Sequence, residues 1–191
     1  MTLRKTIITS AALLTLAACG RGSDAGQANT MATTAEADGA NAGEMAPTAS
    51  SGAQSFANVA AASDAFEIET SKLALSNGAS AGVKAYANKM IEAHTASTAK
   101  LKAAAAGMTP AITPNPALSP EQQQKLNELK GLNGTAFDKA YKTEQAAGHQ
   151  QTLDALKAYV ATGDAPQLKS FAGEMIPIVT AHLNMVKSLK A

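Results

Sequence analysis

Three histidines and one glutamate are the residues of this 191-residue chain whose types and spacing could bind a metal ion. The histidines are His94, His149 and His182, and Glu67 precedes them in the sequence. At helical spacing each of the four lies on the inward face of its segment, with His149 towards the edge of that face. Imidazoles and carboxylates are common ligands of zinc, iron and copper. The pattern therefore predicts a candidate centre for a divalent transition metal ion.

Four further side chains are candidates for a supporting role around this centre. Counted along each predicted helix from the turn that joins it to its hairpin partner, the four primary candidates lie about 15–25 Å away, which places them near mid-bundle. Two methionines lie within a turn of a histidine and would suit Cu(I), although methionine also fills gaps in apolar cores. The Glu144 carboxylate and the Gln145 amide lie at the same depth in the predicted bundle as His182. These supporting residues are Met90, Met185, Glu144 and Gln145.

The histidines also have a structural explanation that requires no metal. A buried imidazole is satisfied by hydroxyl or amide groups, and Glu67 could pair with one of the rings. Suitable partners on the neighbouring segments are Tyr86, Thr98, Tyr141, Gln145, Thr152 and Tyr159. The sequence leaves the metal centre and the polar network open as alternatives.

Several kinds of active site do not fit the sequence. A di-iron carboxylate centre needs Glu-x-x-His on two helices, but the residues three positions before the histidines are Ile91, Ala146 and Val179. The chain also lacks a glycine-rich phosphate-binding loop and a strand–turn segment carrying a nucleophilic serine. These observations favour a protein that is not an enzyme.

Four long amphipathic segments must position the candidate side chains, and they predict an all-α fold. Apolar residues recur at helical spacing in each segment, and no stretch alternates at period two over a useful length. The predicted helices cover residues 55–77, 81–106, 135–162 and 165–189. The inward face of the first is predicted to hold Phe56, Val59, Ala60, Phe66, Thr70, Leu73 and Ala74.

The lengths of the connections indicate how these helices are arranged. Residues 78–80 and 163–164 are short turns, whereas the proline-rich connection at 107–134 is long enough to cross the bundle. Within it, Ser119 and Gln122 form a capping box that starts a short extra helix. Two antiparallel hairpins joined by one long crossover are typical of a ferritin-like four-helix bundle. We predict such a bundle for residues 55–191.

Local signals at the two later helices predict their starts and a bend. Thr135 with Asp138 is expected to begin the third long helix, and Asp164 with Gln167 to form a capping box at the start of the fourth. Pro177 is expected to bend the fourth helix, because it cannot donate the backbone hydrogen bond that a helix needs there.

The N-terminal residues indicate export. Two basic residues precede an apolar run that is too short to span a bilayer, and the run ends in "LAAC" at 16–19. This arrangement resembles the bacterial lipoprotein signal, which implies removal of residues 1–18 and acylation of Cys19. The acyl chains would then hold the protein to a membrane. Gly20 follows the cysteine in place of aspartate, and by the same resemblance this favours the outer membrane, with the protein facing the periplasm.

Composition limits the remaining possibilities. After Cys19, residues up to 54 are rich in alanine, glycine, serine and threonine, and the first aromatic residue is Phe56. Such a segment cannot bury enough apolar surface to fold, so residues 19–54 are predicted to be a disordered tether. Cys19 is the single cysteine, which excludes a disulfide within the chain. The formal net charge of +1 gives no reason to expect nucleic acid as a partner.

Four sequence blocks together resemble a known bacterial envelope family of unknown function. They are "FEIETSKLAL" (66–75), "VKAYANKMIEAHT" (83–95), "FDKAYKTEQAAGHQQTL" (137–153) and "IPIVTAHLNMVKSL" (176–189). Members of that family are often labelled outer membrane proteins and are grouped with the ferritin-like folds. The resemblance implies an acid at Glu67 and histidines at His94, His149 and His182. Members often carry an acid before the second-block histidine, where this chain has Ala93.

Together these patterns favour one function and leave one alternative. The favoured interpretation is a lipid-anchored periplasmic bundle that acts as a non-enzymatic binding or envelope-stress module, with an unknown protein partner. The alternative is a zinc-, copper- or iron-binding protein that uses the three histidines with Glu67.

Overall fold

Five α-helices form the secondary structure of residues 52–190, the part of the chain that this computed structural model describes. The all-α prediction is confirmed, and within these residues the one β-type contact is an isolated bridge between Gly78 and Gly134. The helices are α1 (Gly52–Asn77), α2 (Ala81–Ala106), α3 (Pro120–Lys130), α4 (Gly134–Thr162) and α5 (Pro166–Ser188).

The four long helices pack around a shared interior. α1 contacts α2 and α4, and α5 contacts α4 and α2, so each long helix has two long neighbours. The short helix α3 lies against α1 and α4 and covers that side of the bundle. The interior is therefore enclosed by side chains from four separate helices, which allows distant parts of the sequence to meet there.

Aromatic clusters occupy the core on either side of the histidines along the helices. On one side Phe56 stacks on Tyr159 with ring centroids 3.9 Å apart, and Phe171 meets Phe56 edge-on at 6.5 Å. Such pairs add about 0.5–1.5 kcal/mol each beyond the apolar area that they bury. The cluster on the other side consists of Tyr86, Phe137 and Tyr141. Both ends of the interior are thus closed by large rings, while the polar side chains lie between them.

The predicted inward face is correct for α2 and shifted for α1. Helical periodicity predicts an inward face on α2, and every residue of that face is buried: Val83, Ala87, Met90, His94, Leu101 and Ala105. On α1, however, Val59 is 60% exposed, whereas Ala57 and Asp64 are buried. Alanines on several sides of α1 reduce the contrast between its apolar and polar faces, and this explains the error.

One predicted capping box is confirmed and one is wrong. Ser119 and Gln122 exchange the two hydrogen bonds of a capping box at the start of α3. At α5 the N-cap residue is Ala165, without a side-chain cap. Asp164 instead accepts hydrogen bonds from the Tyr159 hydroxyl at 2.9 Å and from the Ala53 backbone N–H at 3.3 Å. Its carboxylate thereby joins the end of α4 to the start of α1.

The start of α4 also differs from the prediction. The N-cap residue is Asn133, which makes no side-chain cap, so the predicted start at Thr135 with Asp138 is wrong. The Asp138 carboxylate instead accepts backbone hydrogen bonds from Ala79 at 3.2 Å and Ser80 at 2.8 Å. Its charge lies at the N-terminal end of α2, where a carboxylate is favoured by the helix dipole.

Replacing Asp138 by alanine is expected to lower the free energy of unfolding by about 2 kcal/mol, because two backbone donors lose a charged acceptor in a buried place. Urea denaturation measures this loss. Asp154→Ala is the matched control on the same helix, since Asp154 is exposed and bonds the Gln150 side chain. Equal stability of the two variants would contradict this role for Asp138.

Part of the N-terminal prediction lies outside the described residues. These parts are the predicted signal at 1–18, Cys19 and the predicted tether up to residue 51. α1 begins at Gly52, so the last three residues of the predicted tether are helical instead of disordered. Within 52–190, no helix has an apolar stretch long enough to cross a membrane. α5 continues as helix through Pro177, and the bend there stays a prediction.

Candidate metal centre

Three imidazoles from three different helices meet in the interior. His94 on α2, His149 on α4 and His182 on α5 are all buried. Their ring centroids are 5.3–5.6 Å apart. One nitrogen from each ring lies within 4.8 Å of a nitrogen from each of the other two. The apolar periodicity of each helix turns these side chains inward, and packing of the helices brings them to a common level. We refer to these three residues as the histidine cluster.

His94 is oriented by a buried carboxylate on α1. Its Nδ1 lies 2.8 Å from Oδ1 of Asp64, and Thr98 Oγ1 donates to Oδ2 of the same carboxylate at 3.1 Å. Since this carboxylate is the acceptor in both contacts, Nδ1 of His94 carries the proton. Its Nε2 is buried and has no hydrogen-bond partner among the described residues.

His149 is oriented by the backbone of its own helix. Its Nδ1 donates to the carbonyl oxygen of Gln145 at 2.7 Å. A carbonyl oxygen cannot donate, so the proton of the neutral ring lies on Nδ1 and the lone pair lies on Nε2. That Nε2 is buried and is also unpaired within residues 52–190.

His182 supplies a third unpaired nitrogen. Its Nδ1 is buried without a partner in the described part of the chain, as is Oε2 of Glu67. A buried polar atom that lacks a hydrogen bond costs about 1–3 kcal/mol. Because protein interiors rarely leave such atoms unpaired, a concentration of them in one place needs an explanation.

Glu67 lies next to the histidine cluster but outside the set of mutually close ligand atoms. Its side chain is buried on α1, and Oε1 is 3.9 Å from Nδ1 of His149. The backbone of α4 comes close at Gly148, where a Cβ atom would lie 3.0 Å from Oε1. The absence of a side chain at Gly148 thus makes room for the carboxylate against α4.

The titratable groups of the site are of two kinds: two have a raised pKa and two have a lowered pKa. Burial raises the pKa of Glu67 to about 7, against the opposing effects of the His94 charge and the Gln145 amide. Burial acts to lower the pKa of His94, but the Asp64 hydrogen bond and the charge of Glu67 outweigh it, so the pKa is raised. Glu67 and His94 therefore hold protons more strongly than free side chains do.

The other two imidazoles are weak bases. The pKa of His149 is lowered to about 3 and that of His182 to about 4. In both cases burial is the largest cause, and the charge of His94 is the second. Both rings are therefore neutral near pH 7. They present lone pairs without competition from protons, as metal ligands must.

Replacing Glu67 by glutamine is expected to change how stability depends on pH. The pKa of Glu67 is about 7 in the folded protein, against 4.5 for the free side chain, so its stabilising effect is present at low pH and is lost as pH rises through 7. The Glu67→Gln variant has no carboxylate at this position, so it does not lose stability in this way as pH rises. Relative to wild type, its free energy of unfolding should rise by about 2 kcal/mol between roughly pH 5.5 and pH 8.

Urea denaturation of Glu67→Gln at the two pH values, without added metal, measures this change. Glu69→Gln is the control, since the Glu69 carboxylate is exposed and pairs with Lys72. A difference between Glu67→Gln and wild type that is the same at both pH values would contradict the buried, proton-holding state of Glu67.

The four supporting candidates lie in different environments. Gln145 is at the site through its carbonyl, and its side-chain amide donates to Thr70 Oγ1 at 3.2 Å. Met90 is fully buried in the apolar core, and Met185 packs against that core. The Glu144 carboxylate lies 3.2 Å from Lys125 Nζ and is not among the mutually close ligand atoms. Of the four, Gln145 therefore bonds a histidine directly.

The hydroxyl groups predicted to satisfy the imidazoles bond other groups instead. Thr152 pairs with Ser63, Tyr141 with Ser71 and Tyr159 with Asp164. Thr98 reaches His94 indirectly through Asp64, and the Tyr86 hydroxyl has no partner within 52–190. The partners of the rings are Asp64, which sequence reasoning missed, and a backbone carbonyl. Asp64 lies three residues before Glu67, so helical spacing already placed the two on one face.

Comparison with known proteins gives a family and no activity. Residues 31–189 match the model of the family described as "Domain of unknown function (DUF4142)". No curated protein and no solved structure matched the chain. The match covers most of the sequence and includes all three histidines. The chain belongs to the DUF4142 family of domains of unknown function.

Proposed function

We propose that this protein binds a divalent transition metal ion through ring nitrogens of His94, His149 and His182. The observation that carries the proposal is that each of three converging histidines has one buried, unpaired ring nitrogen, and that one nitrogen from each ring lies within 4.8 Å of the others. An ion at their centre would give each nitrogen a partner and would convert a costly arrangement into a stabilising one.

The second nitrogens of two rings support this interpretation. Metal-binding histidines usually donate their other N–H to a carboxylate or a backbone carbonyl, which fixes the tautomer and the ring orientation. His94 does so to Asp64 at 2.8 Å and His149 to Gln145 at 2.7 Å. In both rings the nitrogen left for a metal is Nε2.

The distances require only a modest contraction. In a tetrahedral site with zinc–nitrogen bonds of about 2.0–2.1 Å, the nitrogens are about 3.4 Å apart. The ring nitrogens lie within 4.8 Å of one another, so they would approach by at most about 1.4 Å. Three protein ligands leave a fourth position for water.

The ligand types favour zinc, cobalt or divalent copper over monovalent copper. Imidazole nitrogens suit these divalent ions, whereas Cu(I) prefers sulfur. Met90 and Met185 pack in or against the apolar core, with no contact that assigns their sulfur atoms to the histidine cluster.

Calorimetric titration of the purified protein with zinc, cobalt and copper tests the proposal, together with elemental analysis of the protein as isolated. The purification tag must contain no histidine, because a histidine tag would itself bind these ions. One ion per chain is expected for wild type, and none for a variant in which all three histidines are glutamine. A single buried water is the alternative occupant, since it could donate to two nitrogens and accept from the third. Wild-type protein that binds no ion would support the water and overturn the proposal.

We also propose that the bundle has the ferritin-like arrangement. The support is the way the long helices contact one another. α1 packs on α2 and α4 packs on α5, and the long crossover joins these two pairs. α1 also contacts α4, and α2 contacts α5. Ferritin-like folds have one such crossover and build metal sites in the bundle interior. An experimental structure with a different order of helices would contradict this proposal.

We further propose that the protein is anchored in the bacterial envelope through an acylated Cys19. The support is the LAAC stretch after a short apolar run. Fatty-acid labelling in cells tests it: wild type should be labelled and should sediment with outer membranes, and Cys19→Ser should be unlabelled. Labelling of Cys19→Ser would contradict the proposed attachment site. With the anchor, the metal centre would belong to a membrane-tethered binding module.

A further inference from the structure

A cavity whose wall includes several polar side chains connects the solvent-facing side of the bundle with Glu67. It has a volume of about 380 Å³ and lies between α1, the crossover with α3, and α4. Glu67 and Gly148 form part of its inner wall, and Glu121, Lys125 and Glu144 part of its outer wall. The Glu121 side chain is 72% exposed, whereas that of Glu67 is 2% exposed. The cavity therefore runs from an exposed carboxylate to a buried one.

A second, smaller cavity touches the histidine cluster itself. Its volume is about 30 Å³, enough for one or two water molecules, and its wall includes Asp64, His94 and His182. Ser63 and Thr152 line both cavities, and their hydroxyl oxygens are 2.9 Å apart. One hydroxyl pair therefore separates the large cavity from the space beside the histidines.

We propose that the large cavity is the route by which the metal ion reaches the histidine cluster, with the Glu67 carboxylate as an intermediate ligand. This inference rests on the metal binding proposed above. Glu67 Oε2 is buried and unpaired among the described residues, and the side chain lines the cavity. Carboxylate and hydroxyl oxygens along the route would replace water molecules around a cation one at a time.

Lys125 lies where an arriving cation would first bind. Its Nζ is 3.0 Å from Oε1 of Glu121 and 3.2 Å from Oε2 of Glu144. A divalent cation and an ammonium group compete for the same carboxylates, so the lysine must move or be displaced before the ion passes. Lys125 thus acts as a gate that slows uptake without forming part of the final site.

The rates of cobalt uptake and release, followed by absorbance after rapid mixing, test the route. Glu67→Gln should slow both uptake and release by about tenfold while the dissociation constant stays within about threefold, because a residue on the path affects the barrier and not the end states. Lys125→Gln should speed uptake by about tenfold, since it removes a positive charge from the mouth. Glu69→Gln, which changes an exposed carboxylate of α1 that lines neither cavity, is the control with unchanged rates. Ala93→Val narrows the small cavity and tests access from that side.

The outcomes separate this inference from the proposed function. If wild type binds no metal, the function fails and the route fails with it. If wild type binds metal but Glu67→Gln has wild-type rates, only the route is wrong. Faster release with unchanged uptake in Glu67→Gln would make Glu67 a ligand of the final site and would overturn its role on the path. Slower uptake in Ala93→Val would instead indicate access through the small cavity.

Discussion

Replacement of His149 by glutamine is expected to weaken zinc binding by more than about 100-fold, because loss of an outer-shell partner alone typically costs 10–100-fold and this change removes a ligand. Zinc at about 100 times its dissociation constant stabilises wild type by about 2.7 kcal/mol. At the same zinc concentration the variant should show almost none of this stabilisation. Calorimetry gives the affinity, and thermal unfolding with and without zinc gives the stabilisation.

The control for His149 is an exposed residue of the same helix. Lys157→Gln on α4 should keep the full zinc-induced shift, since Lys157 lies on the solvent side. Without zinc, His149→Gln loses the hydrogen bond from Nδ1 to the Gln145 carbonyl, so a stability change of about 1 kcal/mol is expected there. A zinc-induced shift in His149→Gln equal to that of wild type would exclude His149 as a ligand.

Replacement of Asp64 by asparagine is expected to weaken zinc binding by about 10–100-fold at pH 8 while the fold is kept. Asparagine has the same shape, and its carbonyl oxygen can accept from His94 Nδ1 in place of Asp64 Oδ1. The charge is lost, however, and the imidazole becomes a weaker base and a weaker ligand. Calorimetric titration with zinc measures the loss.

The same substitution should have a smaller effect at pH 6. In wild type the Asp64 hydrogen bond helps to raise the pKa of His94, so protons compete with zinc for that ring as pH falls. Asp64→Asn lowers that pKa and removes part of the competition. Asp154→Asn, which changes an exposed acid, is the control. An equal loss at both pH values would contradict the effect of Asp64 on the pKa of His94, and no loss at either would show that the Asp64 charge does not support metal binding.

The sequence predicted the helices and the inward position of the histidines for physical reasons that act locally. Apolar residues at 3.6-residue spacing on α2 and α5 leave one face for the core, and His94 and His182 lie in the middle of those faces. Short connections after Asn77 and Thr162 then force the helices to pack as neighbours. Convergence of the imidazoles follows from these two features together.

The parts that sequence reasoning missed depend on contacts between distant residues. The pattern at Asp138 resembles a local helix start, but its carboxylate bonds backbone groups 58 and 59 residues away. Asp164 likewise bonds Ala53, 111 residues earlier. The orientation of Asp64 towards His94 required the exact rotation of α1, which its many alanines do not reveal. The large cavity depends on the path of the crossover, and no periodic pattern fixes that path.

A crystal structure of the protein grown with zinc, with anomalous scattering measured at the zinc absorption edge, would show whether the histidine cluster binds an ion. We expect one strong anomalous peak inside the bundle, about 2.0–2.1 Å from one ring nitrogen each of His94, His149 and His182, with Nε2 as the ligand atom of the first two. Zinc bound only on the surface, with water between the three rings, would contradict it.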